Sequence, residues 1–235
     1  MSYQGVPKPL SFDISHFSRT LRNEAYMVGY SDINANPLWV VYKLTPKERL
    51  YSLKRPDTFK SDWRGFHAVL PEEYSHSGFD RGHMAPNHAI AALYGKDAQE
   101  ETFLMTNITP QRPTLNQKVW QELEMLEFDT FREHYKTLWV YSGPIFDEKS
   151  ENLNKSSHVL IPKAFYKIYV GIDHANTPHM LAFIIPQDAK PHGKLQKYIV
   201  SVREVEKATG LNFFYELNPD VEEKLETSVV LEGWF

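Results

Sequence analysis

The chain has 235 residues, enough for one large domain or two small ones, and its 42% hydrophobic and 14% aromatic content can fill a globular core. Its 26 basic and 30 acidic residues give a net charge of −4, which excludes a uniformly basic nucleic-acid coat. The absence of cysteine excludes a disulfide framework, a thiolate nucleophile and a cysteine zinc site. No apolar stretch approaches the roughly 18 residues of a transmembrane helix, so we expect no membrane partner.

The order of apolar runs and turn residues predicts an α+β fold in one domain, residues 1–235, because no repeat or long linker interrupts the chain. Apolar and β-branched runs predict five strands, at Leu38–Leu44, Phe103–Met105, Leu138–Ser142, Ala164–Gly171 and Met180–Ile185. A helical repeat from Ile199 to Ala208, followed by Gly210, predicts a helix near the end of the chain.

The segment from Lys43 to Arg64 is basic, with seven Lys or Arg residues against three acidic ones, a local charge of +4. Such a segment can bind phosphate groups, or it can form a solvated strand and loop surface. The composition alone leaves both interpretations open.

The next segment, Asp80 to His83, reads DRGH and places an acid, a base and an imidazole within four residues. We expect Gly82 to let the backbone bend or approach a ligand closely. Taken alone, His83 could equally be a partly buried histidine that bonds a backbone carbonyl. A zinc site formed with His76 and His88 is disfavoured, because the spacings of seven and five do not match a helical pair.

A helix is predicted from Thr114 to about His134. Its buried stripe consists of Leu115, Val119, Leu123 and Leu126. Asn116 and Glu124 lie on a neighbouring face, about two turns apart. One neutral oxygen ligand with a carboxylate behind it suits Mg²⁺, which keeps several waters and takes other ligands from a substrate phosphate.

Three motifs occur in a fixed order along this part of the chain. They are Asp80-Arg81-Gly82-His83, Asn107-Ile108-Thr109-Pro110-Gln111, and Leu115-Asn116-Gln117 with Trp120, Leu123 and Glu124. With these spacings the chain resembles the DNA/RNA non-specific endonucleases, a sugar-non-specific nuclease family with a ββα-metal active site, over about residues 12–217.

The resemblance implies a central antiparallel sheet with helices on both sides, and a ββα finger that carries the active site. It implies that His83 is the general base, that Asn116 is the direct protein ligand of Mg²⁺, and that Glu124 holds metal-bound water. Mn²⁺ is expected to substitute for Mg²⁺.

The same resemblance assigns Arg55 and Arg81 to the substrate phosphate and makes Asn107 and Asp80 supporting residues. The implied function is Mg²⁺-dependent hydrolysis of DNA and RNA that leaves 5′-phosphate ends. The chemistry agrees, since an imidazole suits proton abstraction near neutral pH and a guanidinium can bind a phosphate in a bidentate manner.

One position departs from the family pattern. Many members carry an arginine four residues after the helix glutamate, where this chain has Phe128. We expect Arg132, a further turn of about 5.4 Å along the helix, to supply the missing charge to the phosphate. Alternatively Arg55 and Arg81 suffice, and Arg132 is a surface charge.

The alternative function is a nuclease-fold protein that binds nucleic acid without cutting it. The joint presence of His83, Asn116 and Glu124 favours the enzyme. The first residues lack the apolar core of a signal peptide, yet an unrestrained nuclease would attack the host genome, so we expect export or a periplasmic location with the leader absent. The sequence identifies neither an inhibitor protein nor an oligomeric state.

Overall fold

The computed structural model describes residues 2–46, 51–155, 157–191 and 193–235. In chain order its strands are β1 (Lys8–Pro9), β2 (Arg19–Arg22), β3 (Tyr26–Ser31), β4 (Asn36–Leu44), β5 (Asp80–His83), β6 (Ile108–Gln111), β7 (Thr137–Ile145), β8 (Ala164–Ile172), β9 (Pro178–Pro186), β10 (Ile199–Val200) and β11 (Leu211–Asn212). Its helices are α1 (Asn87–Tyr94), α2 (Lys96–Glu101), α3 (consecutive segments Leu115–Trp120, Gln121–Leu126, Glu127–Phe131 and Arg132–His134), α4 (Val202–Thr209) and α5 (Pro219–Thr227).

Seven of these strands form one antiparallel sheet in the order β10-β9-β8-β7-β4-β3-β2. Both faces of this sheet are covered. In β4, Val40 and Tyr42 pack on one face in the core cluster that contains residues of α1 and α3. Trp39 and Val41 pack on the other face in the cluster that contains Val205 of α4. A sheet buried on both faces gives near-continuous apolar strands, and helices on both sides confirm the predicted architecture.

Four of the five predicted strands are confirmed, as parts of β4, β7, β8 and β9. The strand predicted at Phe103–Met105 is wrong. This segment is a turn that leads into a short 3₁₀ turn at Met105–Asn107, and its ladder contact is an isolated parallel bridge between Leu104 and Lys60. Phe103 and Met105 are buried although the segment forms no strand. The apolar residues that predicted a strand here therefore reflect burial alone.

The predicted helix near the end of the chain is present but begins later than the periodicity indicates. Ile199 lies in the edge strand β10, and α4 starts after Ser201, whose hydroxyl accepts a hydrogen bond from the Glu204 amide in a capping box. Gly210 ends the helix in the left-handed conformation at φ 69°. None of the helices in the described ranges is long and apolar enough to cross a membrane.

The predicted helix from Thr114 to His134 is confirmed as α3, and it contains two wider π-helical segments, at Leu115–Trp120 and Glu127–Phe131. A π segment has hydrogen bonds from residue i to i+5 and often occurs at functional sites. Helix α3 therefore rotates less per residue in these segments than a regular α-helix.

A buried ion pair joins α3 to the middle of the sheet. Glu127 Oε2 lies 2.6 Å from Lys167 Nζ of β8, and both side chains have no solvent exposure. Tyr42 donates a 2.7 Å hydrogen bond to Glu127 Oε1, and Tyr169 donates one of 3.2 Å to Oε2. Because every bond of this carboxylate comes from the sheet, it fixes the helix in position and rotation against the strands.

We predict that Lys167→Met lowers the free energy of unfolding by about 3–5 kcal/mol, because it leaves the Glu127 carboxylate buried without its cation. The double variant Lys167→Met with Glu127→Gln should recover most of this loss, since the amide still bonds the tyrosine hydroxyls and carries no charge. Urea unfolding of the three proteins measures the difference. A double variant as unstable as Lys167→Met would show that the pair matters through packing rather than charge.

Candidate active site

The DRGH segment forms β5, which pairs with β6 in a two-stranded unit, and α3 follows β6 in the chain. Strands β5 and β6 pair antiparallel, with Asp80 opposite Gln111 and His83 opposite Ile108. A Cβ atom at Gly82 would lie 2.2 Å from Gln111 Oε1, so the packing of this neighbouring side chain favours glycine there.

A cavity of about 380 Å³ opens between this unit, α3 and the start of α1. Its lining residues are Arg55, Arg81, His83, Pro86, Asn87, His88, Ala89, Asn116, Gln117, Gln121, Glu124, Met125, Phe128 and Asp129. The structure therefore brings together five side chains that the sequence singled out for chemistry. These are Arg55, Arg81, His83, Asn116 and Glu124.

His83 is a buried imidazole at the end of β5. Its ring contacts those of Phe59 and Phe103, with centroid distances of 5.4 Å and 4.9 Å, and the two phenylalanine rings also contact each other at 4.9 Å. Its Nε2 atom is buried and has no hydrogen-bond partner among the described residues. Burial, with a smaller contribution from the Arg55 guanidinium, lowers the pKa of His83 to about 3. The ring is therefore neutral at neutral pH and has a nitrogen available as a proton acceptor.

Asn116 is held by a carboxylate on its amide nitrogen. Its Nδ2 donates to Asp80 Oδ2 over 2.9 Å, and Gln117 Nε2 donates to the same oxygen over 2.8 Å. Fixing the nitrogen end determines which way the side-chain amide faces. The carbonyl oxygen of Asn116 therefore lies on the opposite side from Asp80 and is left available to a ligand.

The π-helical segment at the start of α3 aligns Asn116 with Glu124. In a regular α-helix eight residues turn through about 80° more than two full turns, which would separate the two side chains around the axis. The smaller rotation per residue in Leu115–Trp120 reduces this difference, and both side chains line the same cavity.

Glu124 is a carboxylate with an unpartnered oxygen at this cavity. Its Oε1 atom is buried and has no hydrogen-bond partner among the described residues. Burial is the main cause that raises the pKa of Glu124 to about 7, and the nearby carboxylate of Glu127 raises it further while Lys167 lowers it. A buried carboxylate oxygen without a partner is costly, which makes this position suited to a bound cation or to the water of a cation.

Two guanidinium groups lie beside the imidazole. Arg55 is exposed and lies over the Phe103 ring at 5.2 Å. Arg81 donates to the Pro71 carbonyl through Nε and Nη2, at 3.1 Å and 2.6 Å, which holds its guanidinium in place.

Several other described cations of the basic segment are paired with acidic residues outside the cavity. Arg64 is paired with Asp62 at 2.6 Å, Lys54 with Asp57 at 3.3 Å and Lys60 with Glu100 at 3.4 Å. Lys47 and Arg49 lie outside the described residues. Of the described cations in this segment, Arg55 is the one that lines the cavity.

Asn107 supports the site from behind and does not line the cavity. Its Oδ1 accepts from the Ala85 amide at 2.8 Å, and its Nδ2 donates to the carbonyls of Ala85 and Thr102. The Asn107 carbonyl also accepts from the Met84 amide at 3.0 Å. Asn107 therefore fixes the backbone that immediately follows His83.

Comparison with known proteins agrees with this geometry. The sequence profile of the DNA/RNA non-specific endonuclease family matches residues 10–220. The chain belongs to this family. It is 33% identical to a nuclease of Nostoc sp. over 87% of this chain and 76% of that protein, and 31% identical to human mitochondrial endonuclease G over 81% of this chain and 67% of that protein.

The fold agrees as well. A solved structure described as the EndoG/EndoGI complex superposes with a TM-score of 0.76 at 26% identity, covering 85% of this chain and 86% of that chain. The protein is thus a DNA/RNA non-specific nuclease, and the cavity around His83 is its candidate active site.

The structure corrects the expectation that Arg132 supplies the charge absent at position 128 of this nuclease. Arg132 is 7% exposed and does not line the cavity. Its guanidinium donates to the carbonyls of Phe128 and Thr45 and pairs with Glu133 at 2.7 Å. These contacts hold Arg132 against the last turns of α3 and away from the cavity. Among the described residues, Arg55 and Arg81 are the arginines that line the cavity.

Several residues of this site are not evident from the sequence. The buried ion pair of Glu127 and Lys167 lies near Glu124, and a lysine inside the apolar run of β8 is a signal of such a pair. Phe59 and Phe103, which contact the His83 ring, lie on loops and give no periodic signal.

Because the pKa of Glu124 is raised, the stability of the folded protein should depend on pH through this residue. The folded state binds this proton more tightly than the unfolded state, so the contribution of Glu124 to stability falls as pH rises from about 4.5 to 7. We expect Glu124→Gln to be more stable than the parent at pH 8, by up to about 3 kcal/mol, and to differ little at pH 5.

Thermal unfolding in EDTA at both pH values measures this effect. Glu122→Gln is the matched control, because Glu122 is exposed on the same helix and does not line the cavity. An equal offset at pH 5 and pH 8 would contradict the predicted titration.

Proposed function

We propose that this nuclease hydrolyses phosphodiester bonds in DNA and RNA with a divalent cation, Mg²⁺ or Mn²⁺, and leaves 5′-phosphate ends. One observation carries the proposal. The His83 imidazole, neutral at neutral pH, lines the same cavity as the Asn116 amide, the Glu124 carboxyl group and two guanidinium groups.

The cavity residues fit a hydrated divalent cation. Within the described ranges no three His, Asp or Glu side chains are grouped so that they could hold a metal ion together. The Asn116 carbonyl oxygen would be the direct ligand, and Glu124 would accept hydrogen bonds from water on the cation. When bound, the cation would supply Lewis-acid stabilisation of the leaving oxygen.

His83 would take the proton from the attacking water. Two facts support this role, since the imidazole lines the cavity and is neutral at neutral pH. A bound phosphate next to His83 favours the imidazolium and raises the pKa of His83. The ring would thus become a stronger base when substrate is present.

Arg55 and Arg81 would bind the phosphate and stabilise the charge that develops at phosphorus. The Pro71 carbonyl keeps the Arg81 guanidinium in a fixed direction. Arg55 is less constrained, since its described contact is the face of Phe103. We therefore assign Arg81 to orientation of the phosphate and Arg55 to charge neutralisation as substrate enters.

Degradation of supercoiled plasmid and of structured RNA, with and without EDTA, tests the function. The proposal requires cleavage of both polymers that EDTA abolishes, with product 5′ ends that polynucleotide kinase labels only after phosphatase treatment. Binding without EDTA-sensitive cleavage would instead support the alternative of a nucleic-acid-binding protein that does not cut.

His83→Ala should lower the cleavage rate by about 10²–10⁴-fold, the usual contribution of a general base. Because His83 is not a cation ligand in this proposal, Mn²⁺ affinity measured by calorimetry should stay within about twofold of the parent. His174→Ala, at an exposed histidine outside the cavity, is the control. A large loss of Mn²⁺ affinity in His83→Ala would mean that the imidazole is a ligand.

Asn116→Ala should raise the Mg²⁺ concentration needed for half-maximal activity by at least about tenfold, because it removes the direct protein ligand. Saturating Mg²⁺ should then restore part of the rate. An Mg²⁺ titration of the cleavage rate provides the measurement. A variant with low activity and an unchanged titration midpoint would remove Asn116 from the coordination sphere.

A further inference from the structure

Helix α3 presents two rows of side chains to the cavity. The inner row contains Asn116 and Glu124, which the proposed function already uses. The outer row consists of Gln117, Gln121, Met125 and Asp129, spaced four residues apart, and all four line the cavity. Residues at this spacing lie one above the other on a helix, so the outer row is a continuous wall.

The outer row differs in chemistry from the inner one. It contains no lysine or arginine, and its members are two amides, a thioether and a carboxylate. Gln121 is exposed and Met125 is 57% exposed, so both are accessible to a ligand in the cavity. A wall without a cation and with one carboxylate is unsuited to bind a phosphate group.

The opposite wall comes from the beginning of α1. Pro86 and Ala89 line this wall but are buried, and the exposed His88 ring lies 5.0 Å from the Phe128 ring at 73°. This wall therefore offers chiefly the His88 ring to whatever occupies the cavity. Such a ring stacks against planar ligands.

The volume also exceeds what a phosphate and a hydrated cation require. At about 380 Å³ the cavity lies within the range of sites for small organic ligands. An amide donates and accepts hydrogen bonds, which matches the mixed donors and acceptors on the edges of nucleobases. Met125 adds a polarisable, adaptable surface that tolerates different planar groups.

We propose that the outer row and the start of α1 form a nucleoside subsite that holds the base next to the scissile phosphate. The proposal rests on the proposed function, because the base in this subsite belongs to the nucleotide next to the phosphate that His83, Arg55 and Arg81 would act on. Gln121 contacts the base edge and Met125 packs on its face. The nuclease cleaves any sequence, but it cleaves the phosphodiester bond next to some bases more often than next to others.

The test uses a pool of single-stranded oligonucleotides with a randomised central region, whose bases can leave the stack, digested briefly and sequenced at the new ends. Because frequencies are normalised to the number of cuts, the profile is independent of the overall rate. For the parent we expect enrichment of the most favoured over the least favoured base, by about threefold or more, at a nucleotide flanking the cut.

The variant Gln121→Ala with Met125→Ala should reduce this enrichment to below about 1.5-fold, because it removes the contacts that distinguish the bases. Both positions are solvent-accessible, so the fold should tolerate the change. Glu122→Ala, exposed on the same helix but outside the cavity, should keep the parent profile.

Two outcomes overturn the subsite while leaving the proposed function intact. One is a flat profile for a parent that cuts the pool and hydrolyses bis(4-nitrophenyl) phosphate. The other is a double variant that cuts all sequences more slowly with the parent's profile, which would place the outer row against the sugar–phosphate backbone. A parent that cleaves neither the pool nor the small diester contradicts the proposed function itself.

Discussion

The Glu127–Lys167 pair determines how the active-site helix sits on the sheet. A buried carboxylate can remain ionised only where cations and hydroxyl donors surround it, and Lys167, Tyr42 and Tyr169 provide them from β8 and β4. Since this set of donors is fixed on the sheet, α3 has one favourable rotation. That rotation points Asn116 and Glu124 at the cavity, where β5 presents His83.

The two sides of α3 therefore contrast in how their polar groups are satisfied. Beneath the helix, Glu127 has three hydrogen-bond donors. At the cavity, one oxygen of Glu124 and one nitrogen of His83 are buried without partners. Unpartnered buried polar atoms cost free energy, and a ligand that bonds them recovers it. These two atoms therefore favour the binding of a ligand in the cavity.

The sequence predicted much of this arrangement because its signals were local. The apolar runs of β4, β7, β8 and β9 and the periodicity of α3 were sufficient to place those elements. The family resemblance named five of the residues that line the cavity, Arg55, Arg81, His83, Asn116 and Glu124. The short strands β5 and β6 gave no apolar alternation, since DRGH is polar. The strand predicted at Phe103–Met105 was wrong because a buried turn contains the same kind of apolar residues as a buried strand.

Other features required three-dimensional information. Arg132 is one turn beyond Phe128 in sequence, but its guanidinium bonds carbonyls at the end of α3 and in the segment after β4, which no spacing rule could indicate. The π-helical segment that brings Asn116 and Glu124 to one side also has no clear sequence signature. The outer row of Gln117, Gln121, Met125 and Asp129 is recognised as a cavity wall only in the folded structure, where residues of α1 line the same cavity.

The central claim is that Asn116 holds a divalent cation in the same cavity as a separate, uncoordinated base, His83. X-ray diffraction from crystals of the nuclease soaked in Mn²⁺ tests it most directly through the anomalous signal of the ion. The account predicts one peak about 2.1 Å from the Asn116 side-chain oxygen, with Glu124 reaching it through water and His83 Nε2 beyond bonding distance. A peak bonded to the His83 imidazole, or density elsewhere in the cavity with none at Asn116, would contradict it.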